Sequence, residues 1–69
     1  MNVNDILEAA ETVRDIADRV HLEAKIMAGA REEEERADAR MDLEFAMNDL
    51  RDAHRTLRGL VFPEVKATA

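Results

Sequence analysis

Cysteine is absent from this chain, so neither a disulfide nor a thiolate metal site can hold it together. Tryptophan and tyrosine are also absent, and the two phenylalanines are its only aromatics. No run approaches the roughly 18–20 apolar residues that a membrane span requires. A single proline and two glycines leave few points where a helix would be interrupted, and no Gly/Ser linker marks an internal boundary. What remains is charged at 38% and apolar at 46%, the balance of long amphipathic helices. Met1 leads straight into a polar cap and not into a leader peptide, so the expected location is the cytoplasm.

Sixty-nine residues accommodate one small domain. A lone helical hairpin encloses little core, and chains this short usually need disulfides, a metal or a second subunit. With cysteine gone, a homodimer is the expected device. The net charge of −6 argues against non-specific binding to nucleic acid, whose phosphates attract Lys and Arg. It suits a protein that approaches a basic partner surface.

Two columns of alanine organise the chain. Ala10, Ala17 and Ala24 recur at sevens, as do Ala39, Ala46 and Ala53. Folding the chain back between Arg31 and Glu32 sets Ala24 opposite Ala39, Ala17 opposite Ala46 and Ala10 opposite Ala53. The same fold matches Val20 with Leu43, Val13 with Leu50 and Ile6 with Leu57; only Met27 with Arg36, beside the turn, breaks the rule. Spacings of four and three in strict alternation indicate coiled-coil packing. The expected fold is all-α: an antiparallel helical hairpin with helices over about 5–28 and 33–61, joined along an alanine-rich coiled-coil seam and paired as a homodimer. Residues 1–63 form the hairpin domain and 64–69 a flexible tail.

The expected helix ends follow from local chemistry. Asn4 is a favoured N-cap, with Asp5 and Glu8 placed to complement the helix dipole. Gly29 reads as a C-cap or turn residue. The second helix begins within Ala30–Glu34, where the run Glu32-Glu33-Glu34-Glu35 suits a positive helix terminus. Pro63 stops it and discourages helix at Phe62.

Several apolar residues fall outside the seam. Leu22 and Ile26 lie one turn apart on the first helix, as do Met41 and Phe45 on the second, and both pairs point away from the facing helix. They serve either as dimer core or as a docking patch for another protein. Ile16 and Met47 flank the seam and read as core. Charges beside the seam sort by side: Arg14, His21 and Arg40 on one flank, Glu23, Asp42 and Asp49 on the other. Like charges are then expected to meet across the antiparallel pair, a cost that a charged partner would relieve. Residues 1–50 carry six Lys or Arg against fourteen acids, net −8, whereas residues 51–69 carry four against two, net +2. Arg51, His54, Arg55 and Arg58 make a basic stripe that complements a helix C-terminus or, alternatively, anchors an acidic partner or RNA.

Catalysis and metal binding find little support. Asp18 and His21 have an acid–histidine spacing known from bundle metal sites, but the inward positions here are alanine, valine and leucine. Consecutive glutamates on a helix point in different directions, so Glu32–Glu35 is a helix start or a mimic of nucleic-acid phosphates in preference to a metal site. No nucleophile–base pair or phosphate loop can be assembled. The expectation is a non-enzyme without cofactor or metal.

The alternation of alanine with large apolar layers is similar to that of the repressor-of-primer family of plasmids, RNA-binding dimers of hairpins that form four-helix bundles. As a whole, through its length, its acidic two-helix design around MAGAREEEERADARMDLEF and its lack of cysteine, the chain resembles the small phage-encoded anti-quorum-sensing proteins. That resemblance implies a homodimer in the cytoplasm of an infected bacterium. It implies binding to the DNA-binding domain of a LuxR-type quorum-sensing activator, which keeps the activator from its promoters. It further implies inhibition of a type IV pilus assembly ATPase. From the residues, the partner-binding candidates are Leu22, Ile26, Met41, Phe45, Arg51, Arg55 and Arg58; direct contact with nucleic acid or membrane is not expected. An RNA-binding bundle and a structural coiled-coil adaptor are the competing readings.

Overall fold

A computed structural model of the chain describes residues 2–63. Two helices, α1 (Val3–Gly29) and α2 (Glu33–Val61), pack against each other as a hairpin, and no strand occurs among the described residues. The tail assigned to 64–69 lies outside them.

The first helix is longer at both ends than local signals suggest, whereas the second has the expected limits. The N-cap of α1 is Asn2, not Asn4: the Asn2 side-chain oxygen accepts from the Asn4 backbone N–H at 2.9 Å. Two asparagines two residues apart offer the same chemistry, and the earlier one lengthens the helix by two residues. Gly29 is the last helical residue and not the turn; its φ is not positive, and a Cβ there would meet nothing within 4 Å. The reversal is made by extended backbone at Ala30 (φ −70°, ψ 131°) and Glu32 (φ −94°, ψ 148°). Since no residue here needs left-handed φ, glycine chemistry does not locate the turn.

Glu32 caps α2 without a side-chain hydrogen bond, and Glu33, Glu34 and Glu35 fill its first turn. The start of α2 is thus stabilised by charge against the helix dipole in place of a side-chain cap. Arg36, the residue that breaks the facing pattern, reaches back to the Ala30 carbonyl at 3.5 Å. A cation there complements the C-terminus of α1, which has no basic residue in its own last turn. At the far end α2 stops at Val61, and the Phe62 N–H donates to the Arg58 carbonyl at 2.7 Å.

Among the described residues two are buried, both alanines on α2: Ala39 (3% exposed) and Ala46 (0%). Around them Leu43, Leu50, Ala53 and Leu57 are half-buried. On α1 the half-buried line is centred on Ile6, Val13, Val20 and Met27. It is flanked by Ala10 and Ala17 on one side and by Ala9, Ile16 and Glu23 on the other. Ala24 departs from the expected seam: it is exposed, and Glu23 takes the half-buried place beside α2. A one-carbon side chain on the margin of a contact covers little, whereas a glutamate stem can lie along an apolar surface with its carboxylate in water. Met47, expected as core, is 54% exposed.

The molecule measures 48 × 24 × 11 Å. Its thinnest dimension is about one helix diameter of 10–12 Å, so it is a single layer with no interior beyond the line between its helices. The radius of gyration of 15.3 Å exceeds the roughly 11 Å of a compact chain of this length, as expected of a rod.

Candidate protein-contact surface

A one-layer hairpin has two broad faces, and helical periodicity assigns residues to them. Arg19 on α1 donates to Asp49 on α2 at 2.5 Å, which places both on the same face. Asp42 and Phe45 lie seven and four residues before Asp49, so they share it. Nearer the turn the same face opens into a groove lined by Glu23, Ile26, Ala30, Glu35, Asp38 and Asp42, with Lys25 also on its wall. The groove is open, not an enclosed cavity.

Arg19–Asp49 also alters the expectation that like charges meet across the hairpin. Asp49 faces a cation because Arg19, whose side chain is long, reaches across this face from α1. Both partners are about half exposed, so the pair is worth little in water: 0.2–1 kcal/mol is typical. A double-mutant cycle with Arg19→Ala and Asp49→Ala should return a coupling of about 0.5 kcal/mol at low salt and less at high salt. The other ion pairs among the described residues join sequence neighbours, Arg14 with Asp15 at 3.7 Å and Arg51 with Asp52 at 3.9 Å, and do not tie the helices together.

The opposite face carries different chemistry. Leu7, Arg14 and His21 recur at sevens on α1, and Arg40, Met47 and His54 do so on α2. Glu11 and Asp18 stand three before and four after Arg14, and Glu44 four after Arg40, so the signs are mixed. Leu7, 56% exposed, was not singled out by the sequence. Its place seven residues before Arg14 is the signal that would have found it.

Leu22 (53%), Ile26 (50%), Met41 (58%) and Phe45 (60%) all remain exposed in the single chain. The structure separates them: Ile26 and Phe45 border the face of Asp42 and Asp49, while Leu22 and Met41, each four residues earlier on its helix, lie toward the outer edges. Val3 and Phe62 add exposed apolar surface at the open end of the hairpin. Arg51, His54, Arg55 and Arg58 are exposed along the last turns of α2, far along the rod from Ile26. Among the described residues no three histidines or carboxylates converge as a metal site would require, and Glu32–Glu35 are all exposed. No helix of the described chain is long and apolar enough to cross a membrane.

Comparison with protein families, with curated proteins and with solved structures gave no match for this chain.

Proposed function

We propose that this chain is an inhibitory protein that works by occupying a surface of another protein. In this proposal it is a homodimer of hairpins with an alanine-rich coiled-coil seam, acting in the cytoplasm of a phage-infected bacterium. It binds the DNA-binding domain of a quorum-sensing transcriptional activator and keeps that domain from DNA. A type IV pilus assembly ATPase is its second target. The identity of the targets rests on the resemblance to phage anti-quorum-sensing proteins; the mode of action rests on the molecule's surface.

One observation carries the mode of action: eight large apolar side chains remain about half exposed or more, while only two alanines are buried among the described residues. A buried large apolar side chain contributes about 1.5–3 kcal/mol, so a surface of this kind gains by being covered. The accessible surface of 5648 Å² exceeds the roughly 4,400 Å² expected of a globular monomer of this mass. The excess, about 1,200 Å², is more than the roughly 800 Å² that one partner contributes to a standard interface. That is enough for one such interface.

Charge supports a basic target. The −8 of residues 1–50 would steer the chain toward a surface evolved to meet phosphate. The RNA-binding alternative needs a continuous basic stripe over both helices. On α1 it would draw on Arg14, Arg19 and Lys25, of which Arg19 is engaged by Asp49 and Arg14 lies beside Asp15.

The test is a mobility-shift competition. Adding the chain to a LuxR-type DNA-binding domain bound to its promoter should release the DNA, and the chain alone should shift neither DNA nor RNA at physiological salt. Promoter complexes that persist at large excess of the chain would refute the proposal, as would an RNA shift by the chain alone.

A further inference from the structure

The two faces of the hairpin differ in what they can accept. On the face of Asp42, the carboxylates of Glu23, Glu35, Asp38, Asp42 and Asp49 surround the exposed side chains of Ile26 and Phe45, against the cations Arg19 and Lys25. Arg19 is already engaged by Asp49. A two-fold dimer brings the same patch of both copies together. Here that would set carboxylates against carboxylates, and like-charge juxtaposition across an interface costs several kcal/mol. A second copy is thereby directed to another face. The mixed-sign face of Leu7 and Met47 has acids and bases side by side and can complement itself.

We propose that the acidic face is the docking site for a basic amphipathic helix of the target. The helix lies along the rod, with apolar residues on Ile26 and Phe45 and flanking Lys or Arg on the carboxylates. The proposal rests on the reading of the target as a basic DNA-binding protein. The spacing fits a helix: Phe45 faces the level of Asp18, and the eight residues from there to Ile26 set the two anchors about 12 Å apart along the rod. A helix lying over the line between α1 and α2 would meet Ile26 on one side and Phe45 on the other, about two turns apart along its length. The open groove beside Ile26 leaves space for the first of these anchors. Ile26 and Phe45 are both half exposed or more in the single chain, so neither is committed to the line between α1 and α2.

The probe is a synthetic peptide of leucine and lysine, about five helical turns long, with leucines along one helical face. A second peptide has the same composition in shuffled order. Titrated by calorimetry, the ordered peptide should bind and the shuffled one should bind about tenfold more weakly or worse, because a central anchor is worth a factor of this size. Ile26→Ser with Phe45→Ser should weaken the ordered peptide by about tenfold, whereas Leu7→Ser with Met47→Ser should change it by less than about twofold. Circular dichroism and sedimentation should show the Ile26→Ser/Phe45→Ser protein still helical and unchanged in mass. Equal binding of both peptides, indifference to the Ile26/Phe45 changes, or loss of the oligomer in that variant would each overturn the assignment. Repeating the titration with a LuxR-type DNA-binding domain separates the two ideas. If the peptide binds as described and the domain does not, the proposed target falls and the docking face stands. If the domain binds both proteins equally well, the docking face falls.

Discussion

Replacing Ala46 with leucine should destabilise the hairpin by about 1–3 kcal/mol, the usual cost of forcing extra methylenes into a filled site. Ala46 is 0% exposed, and in a molecule one helix thick the added bulk can be housed only by pushing α1 and α2 apart. For a domain of this size each kcal/mol corresponds to about 4–8 °C in melting temperature, so thermal unfolding followed by circular dichroism would resolve it easily. Ala24→Leu is the informative comparison. The heptad spacing places both alanines in the seam, but Ala24 is exposed, and the substitution should change stability by less than about 0.5 kcal/mol. Equal losses at the two sites would restore Ala24 to the contact and remove Glu23 from it.

The second large effect concerns association. If two hairpins share a cover, unfolding is coupled to dissociation, and each tenfold dilution should remove about 1.4 kcal/mol of apparent stability per dimer. Melting curves over a thousandfold range of protein concentration would show the midpoint falling steadily. With the acidic face barred to a second copy by like charge, Leu7→Asp combined with Met47→Asp should yield a monomer with a concentration-independent midpoint. Asp at Ile26 and Phe45 should leave the dimer in place. A midpoint constant across that range in the unsubstituted chain would mean that the hairpin stands alone.

The hairpin itself was legible in the spacing of alanine with leucine, valine and isoleucine. The limits of α2 were readable from the glutamate run and from Pro63, because a helix dipole and a missing N–H act locally. Other features were not readable, for identifiable reasons. Asn2 and Asn4 are equivalent as caps, and only the course of the backbone decides between them. Glycine at position 29 suggested a left-handed turn that the extended backbone at Ala30 and Glu32 makes unnecessary. Spacing put Ala24 in the seam and Glu23 on its flank, but a glutamate stem can pack while its carboxylate stays wet.

The contact surface was only partly legible. Leu22, Ile26, Met41 and Phe45 could be recognised as surplus to the seam, but spacing alone treats the four alike. Their separation depends on the long reach of Arg19 to Asp49, which identifies one face of the molecule, and on the groove beside Ile26. Arg51, Arg55 and Arg58 are exposed, and Arg58 lies in the last turn of α2, where a cation complements the dipole.

The central claim is that one face of this hairpin receives a basic partner while the molecule keeps its own oligomeric state. Backbone amide mapping by NMR, on the isotope-labelled chain titrated with a LuxR-type DNA-binding domain, tests it most directly. The account predicts shifts concentrated at Glu23, Ile26, Asp38, Asp42, Phe45 and Asp49, with Leu7, Met47 and the terminal arginines undisturbed. Shifts confined to Arg51–Arg58, or an unchanged spectrum at saturating domain, would contradict it.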